Sequence, residues 1–124
     1  AGIAKGKMSP ADAEAVNARV VARMRELGLE VAGVWYCPYH ESGSVPEWTR
    51  ASLQRKPEPG MILLAADALG LDVGRSLMVG DKESDRINLP YLATHILAGR
   101  YPVEDSDPTV DGMRRAIEGR GLGL

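Results

Sequence analysis

The chain lacks the features that mark several classes of protein. It contains one cysteine, which excludes an internal disulfide and fits a reducing cytoplasm. No apolar stretch approaches the roughly 18 residues that cross a bilayer, and no signal peptide is visible. The formal net charge is −2 and no basic run stands out, which argues against a nucleic-acid surface. These absences predict a cytoplasmic globular protein with neither a membrane nor a nucleic acid as its partner.

Helix-like and strand-like segments alternate over 124 residues, a length that suits a single domain. This alternation predicts an α/β fold, a Rossmann-like parallel sheet flanked by helices. Between the first strand and the second helix, residues 39–54 read as an irregular loop of the functional or disordered kind. The expected strands are 31–37, 76–79 and 93–97; the expected helices are 10–27, 59–69, 85–92 (interrupted by Pro90) and 108–118; a frayed tail is expected over 119–124.

The first helix has the clearest local signals. Ser9 suits the N-cap, Pro10 the first turn, and Asp12 the positive end of the helix dipole. Gly28 is a plausible C-cap. The apolar positions that keep helical spacing are Val16, Val20, Met24 and Leu27.

An acidic motif follows the expected strand 76–79, where the sequence reads Gly80-Asp81-Lys82-Glu83-Ser84-Asp85. A buried parallel strand delivers such carboxylates to the carboxyl edge of a sheet, where α/β proteins bind ligands. Carboxylates are hard oxygen ligands for Mg²⁺, so Asp81 is expected to bind the ion and Asp85 to bind or orient the metal site. The alternative is a solvated turn in which Ser84 or Asp85 caps the next helix.

A basic motif lies about twenty residues earlier, in Arg55-Lys56-Pro57-Glu58-Pro59-Gly60-Met61. Lys56 is expected to neutralise a transferring phosphoryl group, and the planar guanidinium of Arg55 to grip a second phosphate or a sugar hydroxyl. The alternative is a solvated basic pair that precedes a helix.

Cys37 and His40, spaced Cys-x-x-His, offer two zinc ligands. A closed structural site needs four, no second cysteine exists, and the other histidine, His95, falls in an expected strand. Zinc is therefore not expected, and the loop around Trp48 is expected to be held by packing.

Four segments, in order, resemble the haloacid dehalogenase superfamily. Within it they are most similar to the branch of D-glycero-D-manno-heptose 1,7-bisphosphate 7-phosphatases and histidinol-phosphatases. The segments are Gly2-Ile3-Ala4-Lys5-Gly6, Trp35-Tyr36-Cys37-Pro38-Tyr39-His40, the basic motif from Arg55, and Met78-Val79-Gly80-Asp81-Lys82 with Asp85.

The resemblance implies a Mg²⁺-dependent phosphatase, a phosphoric monoester hydrolase that acts through an aspartyl-phosphate. It implies that Lys56 is catalytic, that Arg55, Lys56 and Lys82 contact the substrate, and that Asp81 and Asp85 serve the metal. The implied substrate is a small phosphorylated sugar, with heptose bisphosphate of lipopolysaccharide synthesis favoured and histidinol phosphate as the alternative.

The resemblance also has a gap. The family's nucleophile motif, Asp-x-Asp after a first apolar strand, does not occur in this sequence; Asp105-Ser106-Asp107 sits in a polar, proline-bounded stretch. We therefore expect residues 1–124 to be the C-terminal portion of a single phosphatase domain that is incomplete at its N-terminus. The nucleophile segment is expected to be absent, disordered or supplied by another chain.

Two other classes of function remain open on the sequence. Without a nucleophile, the chain would be a pseudo-phosphatase or an interaction module on the same scaffold. A receiver-like or flavodoxin-like domain shows similar alternation but gives no reason for Arg55-Lys56-Pro57.

Overall fold

The computed structural model describes residues 1–119, which form two compact units. The first unit runs from Ala1 to Arg55, and the second begins at Lys56. The single domain expected from the sequence stays a prediction, and the two units are described separately below. Residues 120–124, most of the expected frayed tail, lie outside the described residues, whereas Gly119 ends the last helix.

Helix α1 of the first unit spans Pro10–Glu26. The side chain of Ser9 accepts a hydrogen bond from the Asp12 N–H at 3.1 Å, and the Asp12 carboxylate accepts one from the Ser9 N–H at 2.9 Å. This reciprocal capping box satisfies two backbone donors that a helix start otherwise leaves unpaired. The predicted start of α1 is confirmed. The cap residue is Leu27, one residue before the predicted Gly28, which follows it at a φ of 84°.

The apolar stripe of α1, the set of positions with helical spacing, is exposed. Its members are Val16, Val20, Met24 and Leu27, at 54, 51, 40 and 63 % exposure. The spacing gave the correct helix, but no side chain of α1 is buried within the described part of the chain. A helix face is buried only where another element covers it.

The rest of the first unit is irregular apart from one 3₁₀ turn, Pro46–Trp48. Its buried centre is Ile3 and Ala4, and the Ala4 carbonyl accepts hydrogen bonds from Ser44 and Val45 at 2.8 and 3.0 Å. A side chain on Gly43 would collide with Thr49 and with Ala4, so only glycine fits this approach.

The second unit contains a parallel sheet of two strands. Strand β1 is Leu77–Gly80 and strand β2 is Ala93–Ile96, paired in parallel with Leu77 opposite Ala93 and Gly80 opposite Ile96. Helix α2, Gly60–Leu69, precedes β1 and ends at Gly70 in the left-handed conformation, with a φ of 65°. Helix α3, Val110–Gly119, follows β2 and contacts β1. These elements confirm the predicted α/β class and two of the three predicted strands, 76–79 and 93–97.

Two sequence predictions of secondary structure are wrong. Residues 31–37 form no strand, because a strand needs a hydrogen-bonded neighbour and none of the residues 1–119 pairs with them. Residues 85–92 form no helix beyond a 3₁₀ turn at Glu83–Asp85. There the Asn88 N–H donates to the Pro57 carbonyl at 2.8 Å instead of to a helical partner, and Pro90 has no N–H to donate.

The buried apolar side chains of the second unit lie around β2. They are Ile87, Leu92 and Ile96, and the carboxylate of Asp85 is the one buried charged group among the described residues. Across residues 1–119, none of the helices has the length and apolarity needed to span a bilayer.

Candidate functional site

Both strands of the sheet end at the same edge, and the predicted acidic motif begins there. Asp81 follows the last residue of β1, and the Leu97 N–H, just past β2, donates to the Gly80 carbonyl at 2.8 Å. This edge is the carboxyl edge of a parallel sheet, where ligands of α/β proteins bind. The edge therefore presents the exposed side chain of Asp81 to solvent.

Asp85 organises this edge. Its side chain is only 4 % exposed, and one carboxylate oxygen accepts a hydrogen bond from the Lys56 ammonium. The other oxygen accepts from the backbone N–H groups of Asp81 at 2.9 Å and Lys82 at 3.0 Å. One buried carboxylate thus joins the basic motif to the turn that carries Asp81, so Lys56 and Asp81 lie on the two sides of the same group.

Gly80 makes room for that carboxylate. A Cβ atom on Gly80 would overlap the Asp85 side chain, including its own Cβ and carboxyl carbon. Any other residue would push Asp85 away from the N–H groups that it binds. The glycine is required by packing, at the point where the strand passes into the turn.

The environment of Asp85 favours its ionised form. Burial would raise the pKa of this carboxyl, but the hydrogen bonds from Lys56 and from the N–H groups of Lys82 and Asp81 outweigh it and hold the pKa below its ordinary value. The charged carboxylate in turn holds the Lys56 ammonium. That side chain remains 37 % exposed, so the ammonium is held from one side and is accessible from the other.

An ammonium group has three N–H donors. Asp85 accepts from one of them, and two remain for a ligand. The arrangement fixes a positive charge next to an exposed carboxylate, which suits the binding of an anionic group that carries a metal ion.

Asp81 is suited to supply one carboxylate ligand to such a metal ion. Mg²⁺ is usually bound by one or two carboxylates together with waters and substrate phosphates. Asp81 offers an exposed carboxylate of this kind, whereas the oxygens of Asp85 are occupied by three donors. Among residues 1–119, no group of three histidine, cysteine, aspartate or glutamate side chains is close enough to enclose a metal. The metal roles of both residues stay predictions, and the geometry favours the orienting role for Asp85.

Arg55, the second residue of the basic motif, belongs to the first unit. There, desolvation and the positive charges of Arg55 and Lys5 lower the pKa of the His40 imidazole. The His40 Nδ1 accepts a hydrogen bond from the Ser42 N–H at 3.0 Å. The predicted role of Arg55 in substrate binding stays a prediction.

The loop that was expected to be zinc-free is held by aromatic contacts. The ring centroids of Tyr39 and Trp48 are 5.7 Å apart, and the Arg50 guanidinium carbon lies 3.9 Å from the Tyr39 ring centroid. The Cys37 thiol donates a weak hydrogen bond to the Tyr39 carbonyl at 3.6 Å. These contacts link the two ends of the loop around Trp48, the residue suggested by the sequence.

Asp105 and Asp107, the one Asp-x-Asp pair in the sequence, are placed in a turn before α3. The Asp107 carboxylate accepts from the Thr109 N–H at 2.8 Å and from its hydroxyl at 2.9 Å, and lies 3.5 Å from His95 Nε2. The Thr109 hydrogen bonds, chiefly, lower the pKa of Asp107. This carboxylate organises a turn, and it does not project from the end of a strand as the family's nucleophile would.

Sequence reasoning missed two residues at this edge, Arg100 and Tyr101. The Lys82 ammonium lies 4.5 Å from the centroid of the Tyr101 ring, and the Arg100 guanidinium carbon lies 6.0 Å from it. The available signal was a basic and an aromatic residue a few positions after a predicted strand, at the edge where ligands bind.

Comparisons with known proteins find similarity to haloacid dehalogenase-like proteins. A family model described as HAD-hydrolase-like matches residues 53–87, the stretch that holds Lys56, Asp81 and Asp85. A crystal structure of a candidate HAD-like phosphatase from Mesorhizobium loti superposes with a TM-score of 0.80 at 33 % identity. That superposition covers 99 % of this chain and 63 % of the other.

Two curated relatives, from Escherichia coli K12 and Mesorhizobium japonicum, are named D-glycero-beta-D-manno-heptose-1,7-bisphosphate 7-phosphatase. The protein from Escherichia coli K12 is 40 % identical over 84 residues, which cover 68 % of this chain and 44 % of the relative. The protein from Mesorhizobium japonicum is 45 % identical over 84 residues, 68 % of this chain and 39 % of the relative. The matched stretch thus spans less than half the length of these relatives.

Proposed function

We propose that this chain is a haloacid dehalogenase-like protein that forms the charge-stabilising part of a phosphatase of small phosphorylated sugars. The observation that carries the proposal is the contact of Lys56 with Asp85, beside Asp81, at the carboxyl edge of the sheet. A phosphate ester held there would meet a fixed cation and a carboxylate suited to Mg²⁺.

Each residue has a distinct role in this proposal. Lys56 donates its two remaining N–H groups to the phosphoryl oxygens and stabilises the charge that develops on them. Asp85 is a positioning residue that holds Lys56 and the turn of Asp81. Asp81 would hold Mg²⁺, which when bound supplies Lewis-acid stabilisation of the phosphoryl group. Lys82 and Arg55 would contact the substrate.

The attacking carboxylate is proposed to come from outside these 124 residues. Asp107, the nearest match to an Asp-x-Asp motif, is engaged by Thr109 and is unsuited to attack. The chemistry therefore requires the complete protein, in which a carboxylate would accept the phosphoryl group and water would release it as phosphate. We propose a cytoplasmic location, since a lone cysteine suits a reducing compartment.

We favour a heptose 1,7-bisphosphate as the substrate because the curated relatives from Escherichia coli K12 and Mesorhizobium japonicum are named as phosphatases of that compound. Histidinol phosphate remains the alternative, and a steady-state comparison of the two substrates with the complete protein separates them. The account predicts a higher kcat/KM for the heptose bisphosphate, and equal or reversed values would contradict it.

Two variants of the complete protein test the site itself. Lys56→Ala and Asp81→Asn should each lower kcat by on the order of 10²–10³, the usual cost of losing one group that stabilises developing charge. The matched controls are Lys7→Ala and Asp67→Asn, which alter exposed side chains outside the network and should keep kcat within twofold. Full activity of either site variant would refute the proposal, and an inactive wild type would favour the pseudo-phosphatase or interaction-module alternative.

A further inference from the structure

Two cations without acidic partners flank one aromatic ring at the carboxyl edge of the sheet. Lys82 and Arg100 approach the Tyr101 ring to 4.5 and 6.0 Å from its centroid. Among the described residues, no carboxylate oxygen lies within 4.0 Å of either cation. Tyr101 is 38 % exposed, and both cations are exposed as well. Like charges held near one ring repel each other, and a bound anion would remove that repulsion.

The segment that carries Arg100 and Tyr101 is fixed at its base. The Ala98 N–H donates to the Asp107 carbonyl at 2.7 Å, and the Asp107 N–H donates to the Ile96 carbonyl at 2.8 Å. The Arg86 guanidinium also donates to the Glu104 carbonyl at 2.8 Å. These bonds close residues 98–107 into a loop whose two ends are attached to strand β2.

The loop lies directly beside Asp81. A Cβ atom built on Gly99 would be 4.0 Å from the Cβ of Asp81, so the residue before Arg100 contacts the turn that carries the acidic motif. The ammonium of Lys82, the residue after Asp81, lies 4.5 Å from the centroid of the Tyr101 ring. The ring and its two cations therefore adjoin the group that we propose to hold the metal-bound phosphate.

We propose that Lys82, Arg100 and Tyr101 form an anion-binding rim that takes the second phosphate of a bisphosphorylated sugar. This inference rests on the proposed phosphatase function, in which Lys56 and Asp81 hold the transferred phosphate. The guanidinium of Arg100 can bind two phosphate oxygens at once, and Lys82 supplies a point charge. The Tyr101 ring restrains both long side chains before the ligand arrives, which lowers the ordering cost of binding.

Binding of two probes to the complete protein tests the rim without turnover. Fructose 1,6-bisphosphate and fructose 6-phosphate are titrated by calorimetry with Mg²⁺ omitted. Wild-type protein should bind the bisphosphate roughly tenfold or more tightly than the monophosphate, the usual gain from a charge-assisted contact. Arg100→Gln should abolish this preference and leave the affinity for fructose 6-phosphate within twofold.

Four further variants separate the rim from a general charge effect. Arg75→Gln removes an exposed arginine just before β1, at the opposite strand end, and should retain the full preference. Tyr101→Phe keeps the ring and should retain it as well, whereas Tyr101→Leu should weaken it. If Arg55→Gln abolished the preference and Arg100→Gln did not, the second phosphate would bind elsewhere and the rim would be refuted.

Equal binding of both probes by wild-type protein, or binding of neither, also overturns the inference. Failure of the rim can be distinguished from failure of the proposed phosphatase function. A protein that hydrolyses no phosphate ester but keeps an Arg100-dependent preference has the rim without the phosphatase activity. A protein that hydrolyses phosphate esters, with a preference insensitive to Arg100→Gln, has the activity without the rim.

Discussion

Replacing Asp85 with alanine removes the group on which the candidate site is built. In the wild-type structure this carboxylate is 4 % exposed and accepts hydrogen bonds from the Lys56 ammonium and from the N–H groups of Asp81 and Lys82. In Asp85→Ala, all three donors lose their acceptor. The Lys56 ammonium can turn toward water because its side chain is 37 % exposed, but the two N–H groups lie in a tight turn.

The expected loss of stability lies between two limits. Breaking a fully buried ion pair costs about 3–5 kcal/mol, and an exposed pair contributes about 0.2–1 kcal/mol. One partner here is buried and the other is partly exposed, so we expect Asp85→Ala to lower the free energy of unfolding by about 2–4 kcal/mol. Asp85→Asn keeps one oxygen for the two N–H groups but faces the ammonium with its amide, and it should cost about 1–3 kcal/mol.

Urea unfolding of the complete protein measures both changes, with Asp67→Asn as the matched control on the exposed face of α2. The control should stay within about 0.5 kcal/mol of wild type. A double-mutant cycle with Lys56→Met isolates the pair and should give a coupling of about 1–2 kcal/mol. An Asp85→Ala protein within about 0.5 kcal/mol of wild type, or a coupling near zero, would refute the claim that this carboxylate organises the site.

Three further predictions concern pH, packing and capping. The pKa of Asp85 is lowered in the folded state, so its stabilising effect is fully present above the ordinary pKa of 3.8 and is lost as pH falls through the lower folded pKa. The difference in unfolding free energy between wild type and Asp85→Asn, measured by urea melts, should therefore be constant between pH 5 and 7 and shrink below pH 4. A constant difference down to the lowest pH would contradict this. Gly80→Ala forces the Asp85 side chain aside and should cost about 1–3 kcal/mol in the same assay together with a fall in kcat, whereas an unchanged melt and kcat would show that the contact is unimportant. Ser9→Ala removes the N-cap of α1 and should cost about 1 kcal/mol with kcat unchanged, so a fall in kcat would place α1 closer to the chemistry than the account allows.

Local chemistry explains why some elements could be predicted. The start of α1 can be predicted from local residues alone, because the side chains of Ser9 and Asp12 accept hydrogen bonds from each other's backbone N–H groups without help from the rest of the fold. Strands β1 and β2 are short apolar runs bounded by turn residues, and both were found within one residue of their ends. Gly70 closes α2 because it alone tolerates the left-handed conformation found there.

The errors arose where distant residues decide the local structure. Residues 31–37 have the composition of a strand, but pairing depends on a neighbour that composition does not reveal. The helix expected after Asp85 is prevented by a hydrogen bond from Asn88 to Pro57, thirty-one residues earlier. The apolar spacing of α1 correctly indicates a helix but not whether its apolar face is covered, since exposure is set by what packs against that face.

The candidate site was found in part. Lys56, Asp81 and Asp85 are recognisable from motif order, and the structure brings them to one edge of the sheet. Only the geometry separates the exposed carboxylate of Asp81 from that of Asp85, whose oxygens are already occupied. The rim around Tyr101 was missed because a basic and an aromatic residue after a strand are a weak signal, and their place beside Asp81 depends on the closed loop that carries the ring.

The most direct test is a crystal structure of the complete protein with Mg²⁺ and inorganic phosphate. The account predicts an Asp81 oxygen at about 2.0–2.1 Å from the metal and the Lys56 ammonium within hydrogen-bonding distance of a phosphate oxygen, still bound to Asp85. Phosphate and metal bound away from both Lys56 and Asp81 would contradict it.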